Sequence, residues 1–175
     1  MKKLLIVLFS FFLFFTVLNA NEFTATLELR IHNLVNAERV KYGFKPLKRN
    51  NKLAEIARAH SLDMCVRDYF NHIDPDGLSP TDRSKKAGFK TTIKRKNYTR
   101  EGVGENIFAS QAYMESDGVK TPEMEKMEVV AQKAITGWMN SPGHRKNILD
   151  PDYTQEGTGV AVSKDKKVNI TQNFF

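Results

Sequence analysis

Trp138-Met-Asn-Ser-Pro-Gly-His144-Arg-Lys-Asn-Ile-Leu149, with Gly157-Thr-Gly-Val-Ala161 a few residues on, is the stretch from which the fold reads outward. Upstream of it, Met127, Val130, Ala131, Ala134, Ile135 and Trp138 recur at helical spacing within residues 123–139. Ser141-Pro142-Gly143 stops that helix, because proline lacks an amide donor and restricts the residue before it, and the stop exposes His144. Trp138, close to the helix end, is expected to anchor the core. Acidic Glu123, Glu125 and Glu128 cluster in the first turns, where they complement the positive helix end. Downstream, residues 157–163 and 168–174 read as two strands joined by a turn at Lys164–Lys167, with alternate residues of the second strand facing one way.

Toward the N-terminus, Leu27, Ile31, Leu34 and Val35 predict a helix from about Thr24 to Lys41, terminated by Gly43. Asn50 or Asn51 is placed to cap a second helix that runs to about Arg67, with Leu53, Ile56, Ala57, His60 and Met64 on its inner stripe. His60 therefore reads as a core histidine satisfied by a hydrogen bond. Helices first, a helix in the middle and a hairpin last fit a layered α/β domain.

Lys2 and Lys3 precede an almost wholly apolar run from Leu4 to Leu18, closed by Asn19-Ala20, the pattern of a secretory signal peptide. The run is about 15 residues, short of the roughly 20 that span a bilayer as a helix. Cleavage after Ala20 is expected, leaving residues 21–175 as one domain in a secreted or extracytoplasmic setting. Loss of the two lysines lowers the formal net charge from +7 to +5. Cys65 is the single cysteine, so no internal disulfide can form. It reads as a buried, unreactive side chain on the second helix.

Basic residues are uneven. Lys85, Lys86, Lys90, Lys94, Arg95, Lys96 and Arg100 fall between Ser84 and Arg100 without an acid, and interspersed Gly, Thr and Asn make the 85–100 segment read as a surface loop. Such a loop would attract an anionic cell-surface polymer or lipid. Nucleic-acid binding is excluded as a working expectation, since no recognition motif accompanies the charge.

Two further polar patches carry chemistry. His72 follows Asp68-Tyr-Phe-Asn and precedes Ile73-Asp-Pro-Asp-Gly77, a segment dense in turn formers, so its ring is free to face solvent or a ligand. Gly102-Val-Gly-Glu105-Asn-Ile-Phe-Ala109 reads as tight backbone leading into a short strand, able to direct Glu105 into a cleft. It lacks the further glycine of a dinucleotide loop.

Taken in order, Asn36-Ala-Glu-Arg39 with Gly43 and Pro46-Leu47, Leu53 with His60 and Asp63-Met64, Phe70-Asn-His72, Gly104-Glu-Asn-Ile107, Trp138–Leu149 and Gly157-x-Gly-Val-Ala161 resemble a bacterial-type member of the CAP superfamily, which takes in cysteine-rich secretory, antigen 5 and pathogenesis-related proteins. The resemblance covers about residues 28–174. It implies a three-layer α-β-α sandwich with a central antiparallel sheet, and a cleft lined by two histidines and acids that holds a divalent metal in several relatives. Carried over by residue, the cleft is His72, Glu105 and His144. The place where many eukaryotic relatives carry a second acid is Ser141, so the usual tetrad is incomplete.

Two imidazoles and a carboxylate form a possible Zn²⁺ set with water in a fourth position. The expectation is a weakly bound divalent ion or small ligand without turnover, with affinity falling as pH drops through about 6.5 because imidazole must be neutral to bind. No His-Glu-x-x-His signature is present. Three alternatives stay open. One is a metal-assisted hydrolase using His72, Glu105 and His144, and another is a serine mechanism through Ser141 and a histidine. The third is a lipid, sterol or adhesion module, with Phe108, Tyr113 and Met114 as candidate groove lining.

Overall fold

The computed structural model describes the backbone of residues 2–111 and 123–175, and side chains from residue 22 to 111 and from 127 onward. The N-terminal helix α1 spans Lys2–Lys41. It ends where the spacing predicts but begins well before Thr24. Phe23, Leu27, Ile31 and Val35, four residues apart, form its buried stripe, and Gly43 ends it with a positive φ of 81°. Strand β1 is the short Lys48–Arg49. Helix α2, Asn51–Val66, starts at Asn50, whose Oδ1 accepts the Leu53 amide proton at 3.0 Å.

The 80–101 region departs from the predicted loop. Helix α3 covers Pro80–Lys86, opened by a reciprocal capping box between Ser79 and Asp82. Strands β2 (Thr92–Lys94) and β3 (Thr99–Glu101) pair as a separate antiparallel hairpin. The basic run is therefore largely ordered. Lys85 pairs with Glu101, Arg95 with Asp152 and Arg100 with Asp150. Absence of acid within a segment did not mean absence of acid beside it.

Strand β4 is Gly104–Gln111, and helix α4 is Glu123–Asn140. Pro142–Ile148 forms a second helix, α5, directly after α4, where an exposed turn was expected. Proline suits a helix's first turn because its missing N–H is one that would have no partner there. Strands β5 (Gln155–Val162) and β6 (Lys167–Phe174) close the fold. The main sheet has the order β1-β5-β6-β4, antiparallel throughout except that β1 runs parallel to β5.

Helices cover both faces of this sheet, giving three layers. On one face Val160, Val168, Ile170 and Phe174 meet the α1 stripe and the α4 residues Val130, Ala134, Ile135 and Trp138. On the other, α2 lies almost against the backbone of β5. A Cβ at Gly157 would fall 2.1 Å from the Ala54 nitrogen, and one at Gly159 would fall 2.0 Å from the Arg58 nitrogen. These two glycines are what allow the layer spacing. The same face of β6 is polar, with Thr171 receiving a proton from Ser61 and Asn169 donating to the Cys65 sulfur. Both faces of β6 are buried, so the expected core-versus-solvent alternation becomes an alternation between an apolar layer and a polar one.

Among the described residues, no helix is long and apolar enough to cross a membrane. Glu128 forms a bidentate pair with Arg30 of α1, both oxygens at 2.6 Å, while the side chains of Glu123 and Glu125 lie outside the described residues. Cys65 is partly buried, and burial pushes its thiol up from its ordinary range, which agrees with the unreactive reading.

Candidate functional site

Strand β4 is an edge of the sheet, so its outward carbonyls need partners. Trp138 Nε1 donates to the Ile107 carbonyl at 2.9 Å, and Asn147 Nδ2 donates to the Glu105 carbonyl at 3.1 Å. Asn147 also reaches Asn106 Oδ1 at 2.9 Å, and Asn106 Nδ2 donates to the His144 carbonyl at 3.2 Å. Helices α4 and α5 are thereby fixed along this edge, and His144 is held beside the start of β4.

Alternation along β4 sends Glu105 to the face opposite Asn106. Its carboxylate is buried, with the side chain 1% exposed, and each oxygen is occupied. Oε1 lies 2.9 Å from His72 Nδ1, and Oε2 accepts from Arg83 Nη2 at 2.7 Å. Arg83 also donates from Nη1 to the carbonyls of His72 and Leu78, both at 2.8 Å, tying the 72–78 loop to α3. His60 Nε2 donates to the Asn71 carbonyl at 3.1 Å and stands 3.9 Å from Glu105 Oε1. Its other nitrogen is 3.3 Å from the Tyr69 hydroxyl, which donates to Asp63 at 2.5 Å.

The carboxylate thus acts first as an orienter. A buried acceptor on Nδ1 fixes the His72 ring and leaves Nε2 for a ligand. His72 is 42% exposed at its side chain, and its ring centroid is 6.0 Å from that of His144. Burial, with the neighbouring His72 as a smaller contribution, moves His144 below the usual histidine pKa. Burial likewise lowers His60, against the opposing pull of Glu105. Burial and the hydrogen bond to Asp63 raise Tyr69.

The three residues singled out in the sequence come together, but not as three ready ligands. Among the described residues, no group of three His, Cys, Asp or Glu side chains is arranged to hold a metal. The donor set that fits an ion is the imidazole pair, with Glu105 behind His72. Two imidazoles bound at ~2.1 Å around one tetrahedral ion have centroids roughly 5 Å apart, so the observed spacing needs a closure of about an ångström.

Sequence reasoning missed Arg83, His60 as a neighbour of the carboxylate, and Asn147. Arg83 is separated from Glu105 by 21 residues and sits at the head of a basic run, so no local pattern marks it. Among the described residues, Ser141 makes no hydrogen bond to a histidine, and it is the α5 N-cap without a side-chain cap bond. Phe108 is partly buried and packs against the core cluster. Tyr113 and Met114 lie outside the described residues.

Residues 32–174 match the family model described as "CAP: Cysteine-rich secretory protein family". The chain is 37% identical over 150 residues to the Bacillus subtilis protein YkwD, which covers 85% of this chain and 48% of that one. It is also 37% identical over 151 residues to the Bacillus subtilis membrane protein YlbC, covering 86% of this chain and 34% of the relative. The chain spans about half, or less, of the length of these relatives. Among solved structures, an extracellular protein containing an SCP domain from Bacillus anthracis superposes with a TM-score of 0.63 at 28% identity, covering 87% of this chain and 41% of that one. An outer surface protein of Borrelia burgdorferi has a TM-score of 0.61 at 15% identity, covering 82% and 86% of the two chains, a likeness of fold alone.

Proposed function

The chain belongs to the cysteine-rich secretory protein family of CAP domains, and from that premise we propose that His72 and His144 bind a divalent metal, zinc by preference, weakly and without turnover. The observation that carries this reading is the 2.9 Å contact between His72 Nδ1 and a carboxylate that is buried and itself held by Arg83. Carboxylate-backed histidines are the usual metal-binding form of the side chain, because the rear contact fixes the tautomer and raises ring basicity.

When bound, the ion would supply Lewis acidity at the mouth of the cleft. This chain's own residues supply the rest. Glu105 holds the His72 ring, Arg83 holds Glu105, and Asn106 holds the His144 carbonyl. With the carboxylate engaged behind His72 and Ser141 in place of an acid, two protein ligands remain among the described residues, fewer than the three of catalytic zinc sites. Weak binding follows from that count. The reading without turnover rests on the same shortage.

Export belongs to the same reading. The basic, apolar residues 2–20 support a leader cleaved near Ala20 and a domain from residue 21 to 175, as does the likeness to an extracellular protein of Bacillus anthracis. A basic surface for anionic polymer survives in reduced form. With Lys85, Arg95 and Arg100 paired, it consists of Lys86, Lys90, Lys94 and Lys96. Zinc titration of wild type and of the two histidine variants tests the metal reading, and N-terminal sequencing of exported protein tests the leader.

A further inference from the structure

At the end of α5 away from His144 lies a second cavity, of about 550 Å³, which includes Arg39, Phe44, Lys45, Lys48, Pro151 and Tyr153 in its wall. Its volume is within the ~300–1,000 Å³ typical of small-ligand sites. Arg39 is 2% exposed and carries a charge with no carboxylate in hydrogen-bonding contact. Carbonyls hold it instead. Nε donates to Lys45 at 2.8 Å, Nη1 to Ile148 at 2.5 Å and to Asp150 at 3.0 Å, and Nη2 to Tyr153 at 3.4 Å. A guanidinium has five N–H donors, so one Nη2 proton stays without a partner among the described residues. The nearby Asp150 carboxylate is bound by Arg100 at 2.7 Å. Carbonyl dipoles satisfy hydrogen bonds but do not cancel the charge.

Lys45 and Lys48 are exposed on the rim and make no ion pair among the described residues. Three of the seven cations in the 85–100 segment pair with acids, whereas among the described residues none of the three in this cavity does. The walls are of a different character. Phe44, half-buried, lies under the Arg39 guanidinium at 5.7 Å, whereas the Tyr153 ring is closed between Phe174 at 5.7 Å and Arg100 at 4.4 Å and forms the floor. The Phe44 ring and Pro151 suit the C–H face of a sugar ring, and the rim lysines suit a carboxylate attached to it.

We propose that this cavity binds an acidic saccharide, a sugar unit bearing a carboxylate, with the ring against Phe44 and Pro151 and the anion toward Lys45, Lys48 and Arg39. The site is independent of the histidine cleft. Because Arg39 also ties α1 to the end of α5, its removal would confuse folding with binding, and the rim lysines make the cleaner test.

Calorimetric titration of the purified protein with a glucuronic-acid-containing disaccharide should saturate with a Kd on the order of 1 mM or tighter. A neutral disaccharide of the same size should bind at least about tenfold more weakly, and so should inorganic phosphate. The Lys45→Gln/Lys48→Gln protein should lose about tenfold in affinity for the uronate at unchanged melting temperature, while Lys94→Gln/Lys96→Gln binds as wild type. Failure of the uronate to saturate would overturn the proposal. Equal binding of the neutral sugar, phosphate binding as tight as the uronate, or an equal loss in the Lys94/Lys96 variant would each overturn it as well, the first two by removing the acidic-sugar ligand and the last by reducing the effect to general charge.

Discussion

His72 Nδ1 and Glu105 Oε1 are 2.9 Å apart, one residue on a loop 42% open to solvent and the other on a strand with a side chain 1% exposed. This contact joins the mobile chemistry of an imidazole to the rigid edge of the sheet. Replacing Glu105 by Gln removes the charge behind the ring and should weaken zinc affinity by about 10–100-fold, the usual loss for a partner behind a ligand. Titration against the wild type is the check, and equal affinities would show that the carboxylate plays no part.

Arg83 supports the same carboxylate and, at 11% side-chain exposure, is close to fully buried itself. Arg83→Ala would leave the buried Glu105 carboxyl with His72 as its hydrogen-bonding partner and His60 at 3.9 Å. Breaking a buried pair on one side costs roughly 3–5 kcal/mol, and the variant should unfold at correspondingly lower denaturant. A shift under about 1 kcal/mol would place the pair among the weak surface bridges.

Trp138 anchors α4 and caps the edge of β4 at the Ile107 carbonyl. Trp138→Ala should cost roughly 3–5 kcal/mol through the cavity alone. Trp138→Phe keeps most of the volume and loses the hydrogen bond, so it should cost about 1–3 kcal/mol. Urea melts of the two variants separate packing from edge capping.

Gly159 and Gly143 give opposite expectations for the same change. A Cβ at Gly159 meets backbone at 2.0 Å, whereas one at Gly143 meets nothing within 4 Å. Gly159→Ala should cost at or beyond the upper end of the ~1–3 kcal/mol seen for overpacking, or prevent folding, while Gly143→Ala should be near neutral. Similar melting temperatures for the two would contradict the close α2–β5 packing.

Glu101 accepts from Thr91 and Thr92 and pairs with Lys85, contacts that lower its carboxyl from 4.5 to about 2. A carboxylate depressed in the folded state stabilises above its unfolded pKa, and that contribution is lost as pH falls through the folded value. The expected loss lies between pH 4.5 and about 2. Glu101→Gln should flatten the acid limb of a melting-temperature profile in that window and leave no effect of titration above it.

Much of this was legible in the sequence because the signals were local. The Asn50 cap, the Leu27-Ile31-Val35 stripe and the Ser141-Pro142 stop each lie within one or two helical turns of what they specify. Long-range partners were not. Arg83 looked like one more cation of a basic run until the fold set it against Glu105, and the β2–β3 hairpin has only Ile93 as a buried apolar residue to announce it. The setting of Glu105 was hidden for the same reason. Sequence places a carboxylate near two histidines but cannot say that an arginine already holds it.

The central claim is that His72 and His144 share one ion. Calorimetric titration of metal-free protein with Zn²⁺, wild type beside His72→Ala and His144→Ala, tests it most directly. The account predicts a single weak site per chain that disappears in both variants while their melting temperatures stay close to the wild type, with no hydrolysis of peptide or ester substrates by the loaded protein. Binding that persists unchanged in both variants would contradict it.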